Sequence, residues 1–144
     1  MKKSNIKIEV WTKERGHEIF DGLTSSDFSK YLSKEFGTLH REDGPAFLKT
    51  KVSRTGEKKQ LELWYNENRL HNQYGPASII YDIVSGKPRS IKYYNEGLFH
   101  REDGLAVIER DKNGKEYGDF YFMGEKLSEE DWTNIVRESK FELI

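Results

Sequence analysis

Leu39-His40-Arg41-Glu42-Asp43-Gly44-Pro45-Ala46 is followed later in the chain by Phe99-His100-Arg101-Glu102-Asp103-Gly104-Leu105-Ala106. The five residues from His to Gly are identical in the two octets. Between them lies a blurred copy, Leu70-His71-Asn72-Gln73-Tyr74-Gly75-Pro76-Ala77. The glycines Gly44, Gly75 and Gly104 are 31 and 29 residues apart (75 − 44 and 104 − 75). A period near thirty in a chain of 144 residues indicates a repeat array. Catalytic residues are usually unique, whereas a motif in three copies usually builds the scaffold.

The residues around the octets align as well. After each octet the chain alternates apolar and polar side chains, as in Ala46, Leu48, Thr50 and Val52 or Ala77, Ile79, Tyr81 and Ile83. Period-two alternation predicts half-buried strands. Each run ends at a turn signal: Arg54–Glu57, Val84–Lys87 and Asp111–Gly114. A return strand then leads to an aromatic pair: Trp64-Tyr65, Tyr93-Tyr94 and Tyr121-Phe122. The spacing from the second aromatic to the next apolar residue aligns Leu127 with Leu70 and Phe99. Consecutive strands joined by short turns predict a mainly β fold, an antiparallel meander of about three hairpin repeats.

Both ends read as caps. Asn5–Trp11 alternates like a strand, and Phe28, Tyr31, Leu32 and Phe36 have helical spacing after Ser25-Ser26-Asp27. This short N-terminal helix is expected to replace the aromatic strand of a degenerate first repeat. At the other end Ser128 is a candidate N-cap before Glu129, Glu130 and Asp131, and Trp132, Ile135 and Val136 form an apolar stripe. The expected organisation is one domain, with a strand and helix cap in 1–38, the repeats in 39–127 and a capping helix in 128–144.

Composition bounds the function. Charged residues make up 34% and aromatics 13%, so the chain folds, but as a thin layered body rather than around a wide core. A net charge of −1 argues against nucleic acid as a partner. Local basic stretches, at Lys2, Lys3 and Lys7 and at Lys49, Lys51, Arg54, Lys58 and Lys59, read as solvated strand edges or turn tips. The absence of cysteine removes disulfides and thiolate chemistry. No apolar run resembles a signal peptide or a membrane helix, so a cytoplasmic location and no membrane partner are expected.

The octet carries groups for acid–base or metal chemistry: His40, Glu42, Asp43 and His100, Glu102, Asp103. The middle copy argues for structure instead, because Asn72-Gln73-Tyr74 keeps the histidine and glycine and drops every charge. In the structural reading, Asp-Gly supplies a left-handed backbone position, and His or Arg bonds the turn or a neighbouring repeat. The repeat residues are then His40, Asp43, Gly44, His71, Gly75, His100, Asp103 and Gly104. Histidines one repeat apart are separated by at least two strand spacings of roughly 4.8 Å, too far to share an ion held by bonds near 2 Å. No metal and no cofactor is therefore expected, and no catalytic residue is assigned.

The aromatic pairs place one ring on each sheet face. Trp64, Tyr93 and Tyr121 form a candidate binding stripe, since Tyr and Trp are favoured at interface hot spots. Arg41, Arg69, Arg89 and Arg101 are candidate partner or ligand contacts. They would serve a second reading, a small-molecule sponge or sensor that captures a nucleotide. A hydrolase using the His and acid groups is a third. The two free edges of an open meander would permit pairing into a homodimer.

The octet, followed by a strand, a glycine turn and the return Tyr94-Asn95-Glu96-Gly97-Leu98, resembles a repeat of bacteriophage and large DNA virus proteins. It is distantly similar to MORN repeats and MORN-like antitoxin proteins. The likeness spans about Leu39–Leu127. It implies an open β-meander used as a binding platform, in a non-enzymatic phage protein that binds and inhibits a host protein connected with defence, in the host cytoplasm.

Overall fold

The structure, a computed structural model, describes residues 5–32 and 35–142, the side chains of Ser29, Leu32 and Glu142 excepted. Lys2 and Lys3 lie outside the described residues.

The predicted meander is present. Among the described residues nine strands form one antiparallel sheet in the order β2-β1-β3-β4-β7-β8-β11-β12-β13. These are β1 (Asn5–Thr12), β2 (Gly16–Leu23), β3 (Phe47–Ser53), β4 (Gly56–Leu63), β7 (Ser78–Tyr81), β8 (Pro88–Lys92), β11 (Val107–Arg110), β12 (Glu116–Phe122) and β13 (Glu125–Leu127). The hairpins β3–β4, β7–β8 and β11–β12 turn at the three predicted signals. Asp82 and Asp111 shape two of these turns by accepting from backbone N–H groups two to four residues on: Val84 and Ser85, and Asn113 and Lys115. Such side-chain acceptors imitate a backbone turn.

After each hairpin the chain makes a short ribbon; the first two ribbons leave the large sheet and lead into the next octet, and the third leads into the C-terminal helix. Two ribbons are separate sheets: β5 (Tyr65–Asn66) with β6 (Arg69–Leu70), and β9 (Tyr94–Asn95) with β10 (Leu98–Phe99). The third is the end of β12 with β13. All three close through a two-residue turn with both central residues at positive φ: Glu67 and Asn68, Glu96 and Gly97, Met123 and Gly124. That backbone matches the twist of the flanking strands. It is costly for non-glycine residues, so Glu67, Glu96 and Met123 need external support.

The core is deepest where the N-terminal cap meets the array. Ile6, Ile8, Val10, Phe36 and Phe47 are buried together, with Phe20, Phe28, Tyr31, Leu61, Leu63 and Tyr65 packed around them. Toward the C-terminus burial is sparser, at Ile91, Ile108 and Val136 and at small residues. The octet alanines Ala46, Ala77 and Ala106 are fully buried.

Helix α1 (Ser25–Leu32) begins one residue beyond Thr24, which is its N-cap. Asp27 accepts from Thr24 N–H at 2.9 Å, and Thr24 Oγ1 accepts from Asp27 N–H at 3.3 Å, a reciprocal cap. Helix α2 (Glu129–Glu142) is capped by Ser128 as expected. Its Trp132 packs on Phe120, with ring centroids 4.7 Å apart, and donates from its indole N–H to Arg101 O.

Three expectations are corrected. Helix α1 does not replace the first aromatic strand; Trp11-Thr12, the end of β1, is that strand. Trp11 N–H donates to Ala46 O just as Trp64 and Tyr93 N–H donate to Ala77 and Ala106 O. The excursion Lys13–Thr38, which carries β2 and α1, fills the place of the four ribbon residues Asn66–Arg69 and is closed by the Thr12–Leu39 bridge, the counterpart of the Tyr65–Leu70 pair. In the third repeat the alignment shifts by one residue. Tyr121 pairs with Lys126 as Tyr65 pairs with Leu70, so Phe120 is the counterpart of Trp64 and Tyr93, and Leu127 stands at the histidine position. Lys49 is not a solvated edge residue. Its ammonium lies 3.8 Å from the centroid of the Phe28 ring, and burial pulls its pKa down.

Candidate functional site: two clefts between consecutive octets

Each octet histidine has the same task. His40, His71 and His100 Nδ1 accept hydrogen bonds from the backbone N–H of Glu67, Glu96 and Met123, at 3.2, 3.0 and 2.9 Å. The donors are the first residues of the next ribbon turn, the strained positive-φ positions. Beside each of these bonds a second one runs from the following turn residue, Asn68, Gly97 or Gly124, to the carbonyl of Leu39, Leu70 or Phe99. The histidine is thus a joint that steadies the turn of the following ribbon. Acceptance at Nδ1 places its proton on Nε2. In His100 that nitrogen faces Glu102 at 3.1 Å, and in His40 it faces Glu42 at 3.8 Å.

The next residue folds the octet onto itself. Arg41 Nη1 donates to Pro45 O at 3.2 Å, and Arg101 Nη1 donates to Leu105 O at 2.9 Å. Both also donate from Nε to the octet aspartate, Asp43 at 3.4 Å and Asp103 at 2.7 Å. In the middle copy Asn72 Nδ2 donates to Pro76 O at 3.0 Å, so the staple survives the change of residue. The glycines follow from this geometry, and the expected left-handed backbone does not: Gly44, Gly75 and Gly104 are absent from the positive-φ glycines. Their role is to make room. A Cβ on Gly44 would sit 2.5 Å from Arg41 Cζ, and one on Gly104 would sit 3.1 Å from Arg101 Cζ. Beside the shorter Asn72 a Cβ on Gly75 would be 3.5 Å from the amide, an ordinary contact.

Successive octets stand apart like teeth, and a cleft opens between each pair. The first, about 380 Å³, lies between the octets of His40 and His71 over a floor of Trp64, Tyr65 and Asn66. The second, about 370 Å³, lies between the octets of His71 and His100 over Tyr93, Tyr94 and Asn95. Tyr74, 86% exposed, projects from the wall they share. Asp43, Glu42 and Asp103 at the outer tips are also exposed, at 91%, 90% and 85% of their side chains. Burial raises the hydroxyl pKa of Tyr65 and Tyr94, which lie deep in the floors, so both stay protonated phenols.

The sequence-derived candidates separate in space. Trp64 and Tyr93 each line a cleft, but Tyr121 lines neither and belongs to the deeper column, its ring 4.9 Å from Phe99. The four arginines do not converge. Arg41 and Arg101 line different clefts and are engaged in their own octets, while Arg69 and Arg89 line neither. Arg69 stands 4.0 Å from Glu96 on the ribbon side. Sequence reasoning missed Trp11 and Tyr74. The hydrophobic-to-octet spacing of Trp11 is interrupted by the excursion, whereas Tyr74 was in view as the odd member of a polar loop. Among the described residues no helix is long and apolar enough to cross a membrane. No family model, curated protein or solved structure matches the chain.

Proposed function

We propose that the chain is a non-enzymatic protein-binding module that grips another protein along the octet edge. In keeping with the phage-type repeat that the octets resemble, the proposed partner is a host protein that it inhibits. The observation that carries the reading is the division of labour within the octet. His, Arg or Asn, Gly and Ala are committed to holding the array together, while Tyr74 and the acidic tips stay exposed on the octets that wall two clefts with aromatic floors. Exposed aromatic residues beside half-buried aromatic floors are the composition of interface hot spots. The test is capture of partners by the tagged protein from bacterial lysate, followed by mass spectrometry and by recombinant reconstitution of the complex. The expected result is one stoichiometric protein whose binding is weakened by Tyr74→Ala. Binding that ignores every substitution along the octet edge would overturn the assignment of this face.

A further inference from the structure

The middle octet departs from its neighbours in a way that identifies the chemistry of the guest. In both outer octets the arginine lies over the aromatic ring at the end of the preceding sheet strand. Arg41 Cζ is 4.0 Å from the centroid of Trp11, and Arg101 Cζ is 4.0 Å from that of Tyr93. The backbone fixes Trp64 and Asn72 as the matching pair. His40, His71 and His100 N–H donate to Trp11, Trp64 and Tyr93 O, in that order. Asn72 keeps the staple to Pro76 O, yet it has no guanidinium to lay on the indole. Trp64 has neither a ring neighbour nor a cation over its face among the described residues, unlike Trp11 and Tyr93. Its side chain is only partly buried, and it floors the first cleft.

We infer that Trp64 receives an arginine side chain of the partner protein, in the place that Arg41 and Arg101 occupy in the flanking copies. This rests on the protein-binding reading. Indole is the strongest of the aromatic cation hosts, and a planar guanidinium stacks on it where an ammonium cannot. Glu42 lines the same cleft with its carboxylate open to solvent; the one guanidinium in the lining, Arg41, is held by Asp43 and Pro45 O over Trp11, and the middle octet presents no cation of its own. Tyr74 adds a second aromatic wall and a hydroxyl. The second cleft differs, because Arg101 already covers Tyr93.

The test is a titration of the 15N-labelled protein with the peptide acetyl-Gly-Gly-Arg-Gly-Gly-amide and with its citrulline counterpart, read at the indole Nε1–H signal of Trp64. Citrulline keeps the shape of arginine and removes its charge. The arginine peptide should shift the signal saturably, and the citrulline peptide should bind about tenfold more weakly. Asn72→Arg supplies the guanidinium from within the chain and should abolish the shift while raising the melting temperature. Should that variant fold poorly, Trp64→Leu, followed at the Asn66 side-chain amide, should equally lose the peptide. An unmoved Trp64 signal, equal binding of the two peptides, or undiminished binding to the folded variants would overturn the inference. A captured protein partner that binds Asn72→Arg as well as wild type would sink the arginine but leave the protein-binding reading. A peptide response with no protein partner would do the reverse.

Discussion

The outer octets and the middle one share a backbone path but not a chemistry. His40, His71 and His100 make the same bond to the next ribbon turn, and Ala46, Ala77 and Ala106 are all fully buried. Those positions therefore belong to the architecture. The residue after the histidine needs only a donor for the carbonyl four residues on, which Arg41, Asn72 and Arg101 all supply. The charges at the following two positions are dispensable to the fold. What the middle copy gains, with Asn72 in place of the arginine and Tyr74 in place of the aspartate, is an open indole and an exposed tyrosine.

The comparison can be broken most forcefully at the histidines. Replacing any one with alanine hands a strained turn N–H to water and removes a half-buried ring, at a cost of about 1–3 kcal/mol in urea unfolding. His71→Ala should cost as much as His100→Ala. A neutral His71→Ala would show that the middle joint is not equivalent. The glycines sharpen the contrast. Gly44→Ala drives the Arg41 guanidinium off its carbonyl and its ring, and about 1–2 kcal/mol should be lost. Gly75→Ala meets no such obstacle at a backbone any residue adopts, so it should be neutral or stabilising by about 0.4–1 kcal/mol. Equal effects at the two glycines would contradict the room-for-arginine account. The arginine itself gives a smaller difference: Arg101→Ala removes a stack and a staple, Asn72→Ala only a staple. Arg101→Ala should therefore be the more destabilising of the two by about 0.5–1 kcal/mol.

The smallest effect separates the two kinds of turn. Ribbon turns rest on histidine, whereas the hairpin turn at 82–87 rests on the Asp82 carboxylate. N–H donors from Ser85 and Val84 hold the pKa of Asp82 below the usual carboxylate range. A folded value below the unfolded one means that the unfolded chain binds the proton more readily. The contribution is then present above the unfolded value near pH 4 and fades as pH falls through the folded one. Amide exchange at Val84 and Ser85 should accelerate relative to the rest of the sheet as pH falls below about 4. The same ratio should stay constant between about pH 7 and pH 5.

The meander was legible in the sequence because its signals are local: period-two alternation, glycine turns and three octets at a steady spacing. The hydrogen-bonding histidine was legible for the same reason, since only His, Gly and Ala survive in every copy. Relations that depend on register were not. The step from Tyr121 to Gly124 matches that from Tyr94 to Gly97, and this spacing would have placed Tyr121 correctly, but the conspicuous apolar Leu127 drew the alignment one residue along. The first aromatic strand was hidden by the twenty-six residues of Lys13–Thr38 (38 − 13 + 1) that stand where the next repeat has the four residues Asn66–Arg69. The close approach at Gly118, where a Cβ would lie 1.8 Å from Val107 O, has no sequence signature either. The clefts arise from spacing between octets and become visible only in three dimensions.

The most direct test of the claim that outer octets build while the middle one binds is to convert the middle octet into an outer one. The triple variant Asn72→Arg, Gln73→Glu, Tyr74→Asp should fold, melt at a higher temperature than the wild-type chain, and fail to capture the partner that the wild-type chain retains from bacterial lysate. Retention of the same partner at the same stoichiometry by the folded triple variant would contradict it.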